Sequence, residues 1–221
     1  MREAIARRMS QSKRTAPHIY LTTDVEMDAA LAVLAERNTS RAGAERLSVT
    51  ALLIRALAVT LQEEPALNAH WTDDGPILYE AVNVGVAIAL DDGLIAPALL
   101  GCEALDLAAA SAALRALTER ARAGKLRSRE LTDATFTLSN LGTFPVSSFA
   151  AIINPPQVGI LATGRAEARP VVVDGSIAIR TILTATLSAD HRAVDGAAAA
   201  RFLGRLKERL EAPGAWVDGG T

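Results

Sequence analysis

Apolar and polar residues alternate from Ile19 to Met27, with Ile19, Leu21, Thr23, Val25 and Met27 set against Tyr20, Thr22, Asp24 and Glu26. A period of two predicts a strand with one buried face. The same period runs from Val82 to Leu90, where Val82, Val84, Val86, Ile88 and Leu90 share a side. Its other side, Asn83, Gly85, Ala87 and Ala89, is small enough to let a helix, a strand or a ligand approach closely. Elsewhere the spacing is helical. Arg2 to Lys13 reads as a basic helix or arm with Ile5 and Met9 one turn apart. Asp28 is placed to cap a helix through Ala29 to Arg37, and Asn38 to Arg46 is a polar loop. Ser48 can cap the next helix, which carries Leu52, Leu53, Leu57 and Leu61 on one face until Pro65 stops it.

In the second half, Asp91-Asp92-Gly93 is a turn leading into a short strand at Leu94-Ile95. Leu105 to Arg122 is an Ala-rich helix closed by Gly124. Thr135 to Ser139 is a strand, and Asn140 to Pro156 is an irregular stretch rich in Gly, Pro and Ser, the kind of loop that often carries function. Val158 to Thr163, Val171 to Val173 and Thr181 to Ala189 complete the strands, with Asp174-Gly175 as a hairpin turn. A last helix buries Phe202, Leu203, Leu206 and Leu210 and ends at Pro213-Gly214. Strands separated by long helices predict an α/β or α+β domain with a mixed sheet. With neither a repeat nor a low-complexity linker in its 221 residues, the chain reads as a single domain over 1–221.

Composition narrows the classes. A hydrophobic share of 50% and a charged share of 22% are ordinary for a globular protein. The net charge of −2 argues against nucleic acid as a partner, because phosphate binding needs a large basic surface. Charges interrupt every apolar run before the roughly 20 residues that span a bilayer, and no export signal is recognisable. The one cysteine, Cys102, excludes an internal disulfide, fits a reducing cytosol and is expected to be a buried small hydrophobe. His18 and His70 stand alone, so no metal-ligand spacing is found. No glycine-rich phosphate loop is present, and Trp71 and Trp216 read as packing residues.

The candidate chemistry lies in Ser188-Ala189-Asp190-His191-Arg192-Ala193-Val194-Asp195-Gly196. It sets an imidazole at the end of a strand and an Asp where the following helix begins. Histidine is the side chain suited to proton transfer near neutral pH, and strand-to-helix turns often present catalytic groups. By itself the spacing fits an ordinary surface or core histidine at a turn better than a catalytic one. Asp195 is either a charge near the imidazole or a helix cap, and Arg192 a partner for it or for a carboxylate of a neighbouring subunit. Ser139 is either a strand-end hydroxyl satisfying a turn or a donor to a developing oxyanion.

Other segments give these residues context: Phe136-Thr137-Leu138-Ser139-Asn140-Leu141-Gly142, Ile152-Ile153-Asn154-Pro155-Pro156-Gln157, Ile160-Leu161-Ala162-Thr163-Gly164, and Ile5 to Met9, Ser12-Lys13 and Pro17-His18 at the front. Together, over about Arg2 to Pro213, the chain resembles the catalytic domain of dihydrolipoamide acyltransferases, the core component of 2-oxoacid dehydrogenase complexes. The resemblance implies a chloramphenicol-acetyltransferase-like two-layer fold, a mixed sheet with helices on one face. It implies acyl transfer, acetyl first, between dihydrolipoamide and coenzyme A. His191 would be the base, Ser139 the oxyanion donor and Asp195 a supporting residue, with Ser10, Asn140, Thr143 and Gly164 near the coenzyme. A basic cluster of Arg2, Arg7, Arg8, Lys13 and Arg14 would suit a phosphate-rich ligand, or is simply a solvated helix face.

No lysine lies in a lipoyl-attachment hairpin. The lipoyl group is therefore expected on another domain or chain, and this sequence is expected to be the catalytic part of a longer protein. The resemblance further implies a homotrimer with shared sites, built into a 24-subunit cubic core through the apolar Trp216 and Val217 or standing as an isolated trimer. Lipoyl domain, decarboxylase and dihydrolipoamide dehydrogenase are the implied partners. The implied compartment is the bacterial cytoplasm, or the mitochondrial matrix in a eukaryote. Branched-chain or succinyl transfer, an O-acetyltransferase with a His-His pair, and a non-catalytic scaffold are the rival readings. The pair is absent here, since Asp190 precedes His191, and a scaffold is not expected to keep His191, Asp195 and Ser139 together.

Overall fold

The computed structural model describes residues 2–90 and 93–219. Its elements are, in order, α1 (Arg2–Thr15), β1 (His18–Glu26), α2 (Asp28–Arg37), α3 (Val49–Glu63), the hairpin β2 (Ala69–Thr72) and β3 (Gly75–Leu78), β4 (Val84–Val86), the ribbon β5 (Ile88–Leu90) and β6 (Gly93–Ile95), β7 (Ala98–Leu99), α4 (Leu107–Arg122), α5 (Ser128–Thr132), β8 (Phe136–Asn140), β9 (Gly159–Thr163), β10 (Glu167–Val173), β11 (Ser176–Asp190) and α6 (Gly196–Glu211). A seven-stranded sheet runs β1-β11-β9-β8-β4-β7, with β10 on β11. It is mixed: β8 is parallel to β9 and β4, and the remaining pairings are antiparallel.

Register explains the two faces. Leu21, Leu187, Leu161, Leu138 and Val86 face one another across five strands and form an apolar row. Phe136, in the adjoining position, packs on Phe202 of α6 with ring centroids 5.7 Å apart. This face is covered by helices. The row shifted by one residue reads Tyr20, Ser188, Ile160, Thr137 and Gly85, and the next on that side reads Thr22, Thr186, Ala162 and Ser139. A one-residue offset turns a side chain to the opposite face, so this second face is small and polar. Helix α1 and the segment 141–158 cover it.

Several expectations from periodicity are corrected. The strand expected at Val82 to Leu90 breaks at Ala87, where Ala87 N–H bonds to Leu138 O (3.0 Å) and β5 leaves to pair with β6. Asp91 and Asp92 of the expected turn lie outside the described residues. Asp28 is not a cap: Met27 holds that position, and the Asp28 carboxylate accepts Thr181 N–H at 3.1 Å; the Thr181 hydroxyl and then this N–H hold its pKa below the usual value. Ser48 does cap α3, through Ala51 N–H at 3.2 Å. That helix, however, is buried on every side from Ala51 to Leu61, because α4 and α6 flank it as well as the sheet. Strands β2, β3 and β7 and helix α5, which have no long periodic pattern, are additional elements.

The tail also differs from expectation. Trp216 is 8% and Val217 1% exposed, both inside the chain's own core. Buried Arg55 donates from Nε to the Trp216 carbonyl at 2.8 Å, and Arg37 grips Asp218. These apolar residues are therefore not an exposed knob awaiting a neighbour. Cys102 is buried as expected, and burial pushes its thiol pKa up to about 12.

Candidate active site

His191 follows the last residue of β11. Its N–H bonds to Pro17 O at 2.9 Å, which continues the β1–β11 ladder past His18↔Asp190 and fixes where the side chain leaves the sheet. The imidazole is exposed and has no hydrogen-bond partner among the described residues. The turn itself is rigid. Asp190, 1% exposed, holds Arg192 through Nη2–Oδ2 (2.6 Å) and Nε–Oδ1 (3.0 Å), and the Arg192 guanidinium lies 4.5 Å over the Trp71 ring. The carboxylate raises the Arg192 pKa further. Arg192 thus pairs with Asp190, correcting the expected pairing with Asp195 or a neighbouring carboxylate. Asp195 accepts Ala198 N–H at 2.7 Å and caps α6.

The other histidines are fully engaged. His18 Nδ1 donates to Ala16 O (2.8 Å) and its Nε2 accepts Ile153 N–H (3.2 Å). His70 Nε2 donates to Ala134 O (2.9 Å) while Nδ1 accepts from Tyr79 OH (3.0 Å). A carbonyl only accepts, so each ring is pinned in one neutral tautomer. Burial moves the His70 pKa down.

Ser139 lies on the polar face of the sheet, in the wall of a cavity of about 490 Å³. Its neighbours there are mostly apolar: Ile5 and Met9 from α1, Leu94, Leu131, Ile152 and Ile160. The wall is held by polar anchors, since Ser12 Oγ donates to Ile153 O (2.6 Å) and Ser188 Oγ to Ala151 O (2.7 Å). Arg8 donates to the Pro155 carbonyl. Ser139 Oγ itself bonds to nothing among the described residues. In register Ser139 meets Ala162 and then Thr186, and β11 continues to Asp190 before His191. That amounts to roughly 17 Å along the strand and about 10 Å across two strand spacings. One chain therefore holds the imidazole and the hydroxyl on the order of 20 Å apart.

Of the remaining expected residues, three cluster at the far end of β8 and β9. Asn140 donates to Thr50 Oγ1 (3.0 Å) and accepts Gly142 N–H (2.8 Å). Thr143 is exposed on the loop. At Gly164 a Cβ would sit 2.0 Å from Ser147 O, so the loop crosses the strand only because this residue is glycine. Ser10 is exposed on α1, apart from that cluster. Within the basic group the Arg2 side chain lies outside the described residues, and Lys13 rests on the Tyr20 ring, 4.8 Å from its centroid. Among the described residues no three His, Cys, Asp or Glu gather as a metal site requires, and no helix is long and apolar enough to cross a membrane. Periodicity passes over Asn154 and the cavity-lining Thr137. The alternation Phe136, Thr137, Leu138, Ser139 already sets Thr137 on the face of Ser139.

Comparison with known proteins identifies the family and the fold. The 2-oxoacid dehydrogenases acyltransferase (catalytic domain) family matches residues 1–217. The acetyltransferase component of the pyruvate dehydrogenase complex of Zymomonas mobilis is 42% identical over 214 residues, which are 96% of this chain and 49% of that protein. The chain thus spans about half the length of the curated relatives it matches. A solved cubic core of the pyruvate dehydrogenase multienzyme complex superposes with a TM-score of 0.91 at 31% identity, covering 97% of this chain and 90% of that one. Chloramphenicol acetyltransferase, at 15% identity, shares the fold with a TM-score of 0.61 over 92% of this chain and 94% of its own.

Proposed function

The chain belongs to the 2-oxoacid dehydrogenase acyltransferases (catalytic domain), and from that premise we propose that it moves an acetyl group between dihydrolipoamide and coenzyme A. The observation that carries this reading is the pair of unengaged groups: an exposed imidazole at His191 and an unbonded hydroxyl at Ser139 in an apolar cavity. They are the base and the oxyanion donor that thiol-to-thiol acyl transfer needs, and they lie too far apart in one chain to act together. A neighbouring copy supplies the missing half, so the active unit is a homotrimer with its sites between subunits.

In this reading His191 takes the proton from the incoming thiol. Free thiols titrate about 2 units above imidazole, roughly 2.7 kcal/mol uphill, which a concerted attack accommodates. The nucleophilic sulfur adds to the thioester carbonyl, and Ser139 donates to the oxygen as it becomes negative, a contact worth about 3–4 kcal/mol. Collapse expels the other sulfur, which takes the proton back from His191. Asp195 supports the base indirectly by capping α6, and so fixes the turn on which His191 stands. Coenzyme A lies against Asn140, Thr143 and Gly164, with Ser10 contributed from α1.

We read 1–221 as one catalytic unit whose lipoyl group comes from another domain or chain, working beside a decarboxylase and a dihydrolipoamide dehydrogenase in the cytoplasm or the mitochondrial matrix. Assembly of trimers into a 24-subunit cubic core is retained as the larger architecture, on a contact other than the buried Trp216 and Val217. Two measurements test this. Acetyl exchange between coenzyme A and free dihydrolipoamide is expected, and its absence refutes the activity. Light scattering should give three chains or a multiple of three; a fully active monomer refutes the shared site.

A further inference from the structure

Ile153 lies in a stretch of segment 141–158 that belongs to no strand or helix, yet it is 1% exposed. Buried backbone outside regular structure must find its hydrogen-bond partners elsewhere. For Ile153 both partners are side chains from the start of the chain. Its carbonyl accepts Ser12 Oγ of α1 at 2.6 Å, and its N–H donates to His18 Nε2 of β1 at 3.2 Å. The residues on either side, Ile152 and Asn154, line the cavity that holds Ser139. Of the polar residues in that lining, Arg8 and Thr137 are engaged, whereas Ser139 and Asn154 have side chains unbonded among the described residues. What holds Ile153 therefore sets where Asn154 stands.

The His18 contact works in one protonation state only. Nδ1 faces the Ala16 carbonyl at 2.8 Å, which can only accept, so Nε2 keeps the lone pair that Ile153 needs. A second proton on Nε2 would set two donors against each other, and its surroundings offer it no acceptor. Asp190, opposite His18 in the β1–β11 register, gives its oxygens to Arg192. Tyr20 stacks on His18 with centroids 5.9 Å apart and carries the Lys13 ammonium of α1 over its ring, a like charge. Arg8, also cationic, reaches the segment at the Pro155 carbonyl. The neighbouring His191 holds the Pro17 carbonyl through its N–H, and His70 bridges the segment's far end at Gln157. Protonating His18 thus orphans a buried N–H. We propose that His18 is a positioning residue: neutral, it holds residues 152–154 in the cavity wall together with Ser12, and protonated, it releases them. On the acyl-transfer reading above, on which the functional half of this inference rests, that wall meets the acetyl thioester beside Ser139.

The test is amide hydrogen exchange of the assembled, unliganded protein, read by mass spectrometry over residues 149–157. It is run at about pH 8 and about pH 5, the limits between which histidines change charge, and normalised to the unfolded chain at each pH. Wild-type protection of this segment should fall about 10-fold at the lower pH, the scale of one orphaned buried N–H, while β9 stays protected. His18→Gln supplies an amide oxygen at the reach of Nε2 that does not titrate, and should stay protected at both pH values. His18→Leu should be unprotected at both, and Ser12→Ala less protected at both with the wild-type drop retained. In turnover, KM for S-acetyldihydrolipoamide should rise about 3- to 10-fold over the same range in the wild type and stay level in His18→Gln. A wild-type segment equally protected at both pH values overturns the proposal and requires no variant. So does a drop that persists in His18→Gln, which assigns it to His70 or His191. A His18→Gln segment unprotected at pH 8 also overturns it, since that marks a merely structural ring. A drop abolished by His18→Gln in a protein that transfers no acetyl group supports the His18 contact and counts against the acyl-transfer reading.

Discussion

The two faces of the sheet are built by different means. Under the helices, Leu21, Leu187, Leu161, Leu138 and Val86 meet α3 and α6 through side chains that carry no polar atoms. On the opposite face the cover is a loop and one helix, tied down by single hydrogen bonds that Ser12, Ser188 and Arg8 donate to backbone carbonyls and that His18 accepts from the Ile153 N–H. The first face holds the fold through apolar area and tolerates no cavity. The second leaves about 490 Å³ open and keeps Ser139 unbonded. On the proposed reading, stability and chemistry lie on opposite sides of one sheet, so substitutions at the two should separate cleanly.

The largest effect is expected at His191. His191→Ala should lower acetyl transfer about 10²- to 10⁴-fold with an unchanged urea midpoint, because its exposed ring makes no hydrogen bond among the described residues; turnover within a factor of two of wild type breaks the assignment. Ser139→Ala should reduce kcat about 10²- to 10³-fold with little change in KM for coenzyme A, as befits a contact made only in the transition state. A change confined to KM would instead make Ser139 a ground-state contact.

The helical face should answer in the other currency. Leu57, fully buried in α3, should cost about 2–5 kcal/mol of stability as Leu57→Ala, read from chemical denaturation, while activity per folded molecule stays within a few-fold. Loss of activity without loss of stability would show that the two faces are coupled. The smallest effect concerns pH. Burial holds the native pKa of His70 below that of the unfolded chain, so below about 6.5 the unfolded state binds the extra proton first. Stability should therefore fall as pH drops from about 6.5 towards the depressed native value, and His70→Gln should flatten that part of the profile. An identical slope in the variant would assign the pH response to other groups.

Much of this was legible in the chain. The alternation at Ile19 to Met27, the caps at Ser48 and Asp195, the Asp174-Gly175 turn and the apolar face of α6 all depend on neighbours within a few residues, and local spacing reports them faithfully. At Asp174 and Gly175 the structure has φ of 49° and 78°, the left-handed pair a two-residue hairpin needs. Burial of α3 on all sides could not be read that way, because its second and third partners, α4 and α6, follow it by dozens of residues. The same holds for the tail: Trp216 and Val217 look exposed next to Gly219 and Gly220, yet α3 and Arg55 bury them.

The candidate site divides along the same line. The sequence by itself determined which side chains are available for chemistry, since His191 and Ser139 stand out by motif and by position at strand ends. It also determined that Thr137 shares a face with Ser139, because the side-chain period of a strand is two. Only the tertiary structure decided which of these groups are free. It pinned His18 through the distant Ile153 N–H and His70 through the distant Ala134 carbonyl, gave Arg192 to Asp190, and spent the proton of Thr137 on Gln157. It also set His191 and Ser139 at separate points of one sheet, because β9 lies between their strands and the register sets the offset. Hydrogen-bond capacity is a property of a residue, but its use depends on partners that folding alone brings within 3 Å or so.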